Sequence, residues 1–192
     1  MQRALSFGAA GIAVAGLLRA VAQGSLTIDT GIGRSLQPLG PLSWTIAAPP
    51  ETVFHVIAEP YLGRTPRALA KKLHVCERGS DMVLAAHFTP LPIGVATTVE
   101  TVLFDRPKRV EFRLVRGPVP HLRESFQLAA ADESTVLTWQ GELATDFWAV
   151  GRWWGSMVAR TWEATVRGSL DSIRTEAERR HHRQSRTGPT SQ

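Results

Sequence analysis

Glu124 stands where a strand pattern asks for an apolar side chain. Leu122, Glu124, Phe126 and Leu128 alternate with polar or small residues, so the carboxylate shares the phase of three hydrophobic neighbours. Burial in such company raises a carboxyl pKa, which suits the group to give or take a proton near neutral pH. Near a strand end the same residue is instead solvated, or paired with Arg116 or Arg113, and both readings stand at this point. The histidines offer less. His55 falls on a short helix, either facing outward or capping the core, His87 takes the opposite phase to Phe88, and His121 lies in a Pro-rich turn that could border a cavity mouth. None has a partner at metal-ligand spacing, and His181-His182 reads as part of a solvated basic stretch. Thr97, Thr98, Glu100 and Thr101 share one strand and could orient the polar head of a ligand, although a half-exposed strand explains them equally. Cys76 is the only cysteine, so an intramolecular disulfide and a thiolate metal site are both excluded; it reads as a buried strand thiol.

The elements that must position these residues are legible from periodicity. Residues 42–47 alternate as a strand, Pro49-Pro50 breaks it, and a short amphipathic helix follows that Glu59-Pro60 ends. A second short helix runs from Thr65-Pro66 to Leu73. Strands are expected over 73–77, 82–89, 95–104, 110–116, 122–128 and 135–143, joined by hairpin-length turns that imply an antiparallel sheet of six to seven strands. A long helix closes the pattern, from Phe147 to about Arg180, with Thr145 or Asp146 as its cap. Phe147, Gly151, Trp154, Val158, Trp162, Val166, Leu170, Ile173 and Ala177 recur at spacings of three and four and form the stripe that lies on the sheet. Gly151 and Gly155 let the helix come close to the sheet or leave room for a ligand. A bent sheet around one such helix encloses a cavity. Its expected lining is Leu84, Phe88, Phe112, Leu114, Glu124, Phe126, Trp139, Trp154 and Val158, with Trp139 equally able to be solid core. Trp148 and Trp153 fall off the stripe and suit a cavity mouth, a membrane interface or the short helices.

Hydrophobic residues make up 43% of the 192 residues and charged residues 20%, which supports a packed core. The net charge of +5 is carried almost wholly by arginine and is dense near the C-terminus, where cations favour a helix end. No finger, P-loop or RNA-sheet motif accompanies it, so nucleic acid is not an expected partner. Residues 4–18 form an uncharged apolar run between Arg3 and Arg19. Three readings compete for it. As a helix over residues 4–22 it is a marginal membrane span or anchor. As a signal peptide it ends at Ala20-x-Ala22. As a soluble helix it packs on its own domain, although it has no polar face. Residues 23–41 read as a Gly/Pro/Ser-rich connector, and residues 184–192 as a disordered basic tail.

The stretch Trp44-Thr45-Ile46-Ala47-Ala48-Pro49-Pro50-Glu51-Thr52-Val53-Phe54-His55-Val56-Ile57 resembles the opening strand, Ala-Pro turn and helix of the SRPBCC superfamily, which comprises START-like, polyketide cyclase/dehydrase and lipid-transfer proteins. Pro107-Lys108-Arg109-Val110-Glu111-Phe112, Phe126-Gln127-Leu128 before Thr135-Val136-Leu137-Thr138-Trp139, and Ser169-Leu170-Asp171-Ser172-Ile173 support the likeness. The resemblance implies an α+β helix-grip fold over residues 42–183 and a hydrophobic small molecule or lipid as ligand. It supplies no shared catalytic motif, cofactor or metal. Two functions follow as expectations: a membrane-associated binder or carrier anchored through residues 4–22 (or exported after cleavage), and a cyclase/dehydrase-type enzyme using Glu124 or a histidine as acid/base.

Overall fold

A computed structural model describes residues 14–63, 65–92 and 94–187. A helix, α1, has its described part over residues 14–22. Then follow β1 (Ser35–Ile46), α2 (Pro50–Leu62), β2 (Leu73–Arg78), β3 (Met82–Leu91), β4 (Gly94–Asp105), β5 (Arg109–Arg116), β6 (His121–Ala131), β7 (Ser134–Thr145) and α3 (Trp148–Thr187). The seven strands form one antiparallel sheet in the order β1-β7-β6-β5-β4-β3-β2. The meander β2 to β7 pairs neighbour with neighbour, and β1 closes the far edge against β7. This is the expected helix-grip architecture, with α2 and α3 packed against the sheet.

Several elements differ from the sequence reading. β1 begins at Ser35, so the latter part of the presumed connector is strand, paired from Ser35↔Thr145 onward and kinked by a bulge between Leu39 and Leu42. Helix α2 runs through Pro60 to Leu62 rather than stopping at Glu59; the last turn tolerates the proline, and the Gly63 N–H closes it on the Glu59 carbonyl. The expected helix after Thr65 is a run of turns over residues 67–72. Cys76 is exposed on β2, an edge strand, rather than buried. Helix α3 continues to Thr187, past the expected start of the tail. Among the described residues no helix is long and apolar enough to cross a membrane; residues 4–13 of the presumed anchor lie outside the described residues.

The α3 stripe is as read except at its start. Gly151, Val166, Leu170 and Ala177 are buried, Trp154, Val158, Trp162 and Ile173 partly so, while Phe147 precedes the helix and is exposed. The start of α3 requires a glycine at 151, and Gly155 eases its contact with the end of β7. A β-carbon on Gly151 would fall 1.7 Å from the Asp146 carbonyl oxygen, and one on Gly155 3.1 Å from the Thr145 methyl. Three side chains along one flank of α3 then fix its position over β1. Glu163 accepts from the Gly40 N–H at the bulge (3.1 Å), Asp171 from the Trp44 indole (3.0 Å) and Glu178 from the Ala47 N–H (3.2 Å).

Asp146 does not cap α3 with its side chain. Its buried carboxylate accepts from the Thr30 and Gly31 N–H groups (2.7 and 2.9 Å) and from Arg34 Nε (2.7 Å). The carbonyls of Ile32 and Gly33, in the same loop, receive the Phe147 and Trp148 N–H groups that lead into the helix. The Arg34 guanidinium and these donors hold the Asp146 carboxyl far below the usual range. Because the folded pKa is depressed, this stabilisation is complete above the unfolded value near 4 and fades as pH falls toward the folded one. Asp146→Ala is therefore expected to cost about 3 kcal/mol at pH 7. Urea melts should show the gap to the parent protein closing below about pH 3.

Candidate functional site

A cavity of about 480 Å³ lies between α3 and the concave sheet face. Each wall is traceable to a local cause. The β6 phase Leu122, Glu124, Phe126, Leu128 does face inward, as do Val110 and Phe112 on β5 and Leu137, Trp139 and Leu143 on β7. Phe112, Phe126, Trp154, Val158, Val166 and Ile173 give the cavity its apolar surface. Its opening is marked by lining residues that also meet solvent: Met157, Thr161, Thr165 and Ser169 on α3, and Pro92 at the β3–β4 turn. Ala22, the last residue of α1, also lines it. Backbone contact holds α1 there: the Thr97 N–H donates to the Gln23 carbonyl (2.9 Å), and Gly24 sits so close that a β-carbon would fall 2.1 Å from the Thr97 carbonyl oxygen. Thr161, Thr165 and Ser169 donate their hydroxyl protons to the carbonyls four residues earlier, so they offer the cavity acceptor oxygens, and the threonines their methyl groups, rather than donors.

Of the nine expected lining residues, Phe112, Glu124, Phe126, Trp154 and Val158 line the cavity; Leu84, Phe88, Leu114 and Trp139 do not. On β3 the phase is reversed. Val83 and Ala85 are the fully buried residues, and His87 and Thr89 follow them into the cavity, which turns Leu84 and Phe88 to the other face. Both phases of β3 are apolar, and the larger side chains are the ones that point away. Leu114 packs beside Gly117 at the end of β5. Trp139 is fully buried core beneath the cavity. His121 is the first residue of β6 and meets Glu142 at 3.2 Å instead of bordering the mouth, while His55 is exposed near Arg106.

Glu124 is buried and has no arginine partner among the described residues. Its Oε2 accepts two indole N–H groups, from Trp139 at 2.9 Å and Trp162 at 2.6 Å. Opposite it in the β6–β7 register is Gly141, where a β-carbon would fall 2.8 Å from that of Glu124; the glycine allows the two strands to close at this point. Burial raises the Glu124 pKa, the nearby Glu100 raises it further, and the two indoles oppose this without cancelling it. Indole N–H groups only donate, so the acid proton belongs on Oε1, the oxygen left to the cavity that Glu124 lines.

A second polar group adjoins it. The Tyr61 hydroxyl is 3.0 Å from His87 Nε2, His87 Nδ1 is 3.3 Å from Glu100 Oε2, and Thr98 donates to Glu100 Oε1 at 2.7 Å. The His87–Glu100 approach lacks hydrogen-bond geometry and is an ion pair only with a protonated ring, whereas burial lowers the His87 pKa to about 4. We therefore read a neutral imidazole beside a carboxyl whose own pKa burial raises. Tyr61 is likewise held in its neutral form by burial and the two carboxyl groups. The cavity thus has apolar walls and one end furnished with proton donors and acceptors, including two carboxyl groups whose pKa values burial raises. Such an end can bind a carbonyl or hydroxyl and can pass a proton. Among the described residues no cluster of three or more His, Cys, Asp or Glu side chains is placed to hold a metal ion.

The sequence reading passed over Tyr61 because it ended α2 at Pro60. Tyr61 lies four residues after Ile57, a spacing that continues the buried face of α2. Removing one donor tests the description of Glu124. Trp162→Phe keeps a ring and loses the 2.6 Å N–H, so the Glu124 pKa should rise further, seen as an upward move in the pH midpoint of ligand binding, with about 1 kcal/mol of stability lost.

A sheet gripping one long helix over an apolar cavity defines a class of ligand-cavity proteins. Residues 42–178 match the family described as polyketide cyclase / dehydrase and lipid transport, and this chain belongs to that family. Solved structures share the fold. The Zhui aromatase/cyclase from Streptomyces sp. R1128 superposes with a TM-score of 0.64 at 18% identity, covering 76% of this chain and 96% of that one. TTHA0849 from Thermus thermophilus gives 0.59 at 15%, covering 73% and 97%. Norcoclaurine synthase from Thalictrum flavum, in complex with dopamine and hydroxybenzaldehyde, gives 0.58 at 15%, covering 77% and 93%. A sequence comparison with curated proteins finds no match.

Proposed function

We propose that this protein binds an uncharged, largely apolar small molecule or lipid in the α3–sheet cavity, with a carbonyl or hydroxyl of the ligand meeting Glu124. The observation that carries this reading is the pairing of an apolar 480 Å³ cavity with a buried carboxyl whose Oε2 is committed to two indoles. A carboxylate or phosphate head would lose its hydration there and meet carboxyl groups, with no lysine or arginine among the lining residues. The test is displacement of a neutral fluorescent probe from the full chain by matched sets of ring ketones, alcohols and carboxylates. Ketones and alcohols should compete and carboxylates should not. Equal competition by carboxylates at pH 7 would remove the assigned role of Glu124.

A second reading, a cyclase/dehydrase-type enzyme, is favoured by the two proton-bearing groups at one end of the cavity, Glu124 and the Tyr61–His87 pair. In it Glu124 protonates or polarises a ligand carbonyl while the neutral His87 imidazole, which itself lines the cavity beside Glu100, accepts a proton from a neighbouring carbon. Residues 4–22 would associate the protein with a membrane in either case. Their apolar run leads directly into α1 at the cavity mouth.

A further inference from the structure

We infer that the cavity mouth docks on a lipid bilayer surface containing anionic lipid, through an exposed apolar stripe on the first turns of α3 together with α1, so that ligand passes between bilayer and cavity. This builds on the apolar-ligand reading and names the surface from which the ligand enters. Val150, Trp153 and Met157 lie at spacings of three and four on one face of α3, exposed by 71%, 64% and 37%. Met157 also lines the cavity, so the stripe leads into its mouth. On α1, Val14, Leu17 and Leu18 are exposed while Ala22 lines the cavity. A large aromatic beside aliphatic side chains in contact with water is the composition of an interfacial helix.

The chain itself identifies the occupant. Residues 4–13, which precede the described part of α1 in the sequence, are apolar and uncharged. Charge points the same way. Neither residues 1–28 nor residues 147–162 contain an aspartate or glutamate, whereas Arg3, Arg19, Arg152 and Arg160 are interspersed among them; the β3–β4 hairpin at the mouth, residues 82–99, carries neither acid nor lysine nor arginine. An apolar surface dotted with arginines and free of carboxylates matches anionic headgroups over hydrocarbon. No described helix is long and apolar enough to cross a membrane, and the exposed stripe lies on a helix whose other face packs on the sheet, so the contact inferred is with the bilayer surface.

The experiment floats the full chain with vesicles of phosphatidylcholine alone or mixed with phosphatidylglycerol, and repeats it with brominated lipid to quench tryptophan. Wild type should float, more strongly with phosphatidylglycerol, and its emission should fall with brominated lipid. Val150→Ser/Trp153→Ser should float at least about 5-fold less, and Trp153→Phe should lose much of the quenching, while both still bind a neutral fluorescent probe in vesicle-free buffer. Variants that float and quench like wild type would overturn the docking surface and leave the anchor through residues 4–22 standing. Wild type that never floats would remove both, with probe binding reporting the cavity separately. A wild-type dimer in lipid-free buffer that the double substitution dissociates would assign the stripe to a second copy of the chain and overturn the bilayer proposal.

Discussion

Replacing Val158 by tryptophan is expected to reduce binding of an apolar ligand about 100-fold or more while the protein stays folded. Val158 lines the cavity on α3 between Trp154 and Trp162, and an indole there takes the volume that the ligand's rings would fill. A 100-fold loss corresponds to about 2.7 kcal/mol, within what excluding one or two buried ring groups costs. Val158 is only partly buried, so the added rings can enter the void instead of displacing packed core. Thermal stability should hold or rise, as it does when a genuine cavity is filled. Calorimetric titration together with thermal melts separates the outcomes. A large fall in melting temperature would mean that the space is already occupied by side chains, and undiminished binding would place the ligand elsewhere.

Glu124→Gln is expected to make the protein more stable than its parent at high pH. The raised folded pKa fixes the sign. The folded state holds its proton more tightly than the unfolded chain, so this contribution is complete below the unfolded value near 4.3 and is lost as pH rises toward the folded pKa. At pH 5 the two proteins should differ little. By pH 9 the parent buries a carboxylate whose compensation is two indole N–H groups, and the glutamine form should be ahead by about 2 kcal/mol or more, since each pKa unit is worth about 1.4 kcal/mol. Glutamine keeps an acceptor for the indoles, so the packing survives. Denaturant melts from pH 5 to pH 9 give the two curves, and parallel curves would mean that Glu124 titrates as a solvated carboxylate. The same substitution should flatten the pH dependence of ketone binding and, if the enzyme reading holds, abolish turnover.

Strand by strand, the fold separates the physical signals that a sequence carries from those it does not. The architecture was legible because β5, β6 and β7 each have one apolar phase, which the sheet buries, and because the α3 stripe keeps its spacing for seven turns. Glu124 was visible as the polar member of an apolar phase, and its alternative arginine pairing is excluded by its burial between two indoles. β3 was misread because alternation cannot choose between two apolar faces; the deciding fact is that its small inward residues, Val83 and Ala85, give way to His87 and Thr89 where the cavity begins. The polar end as a unit was out of reach. Tyr61, His87, Thr98 and Glu100 come from α2, β3 and β4, and only the sheet register brings His87 level with Thr98 and one diagonal from Glu100. The loop–helix junction was hidden for a similar reason, since Asp146 and Thr30 are 116 residues apart.

Native mass spectrometry of the full chain, released from mild detergent after incubation with apolar ketones, alcohols and fatty acids, tests the cavity most directly. The expected spectrum shows one ligand per chain, lost on denaturation and missing from Val158→Trp. A wild-type protein that carries no ligand under any of these conditions, or a Val158→Trp protein that binds as well as wild type, would contradict a single ligand site between α3 and the sheet.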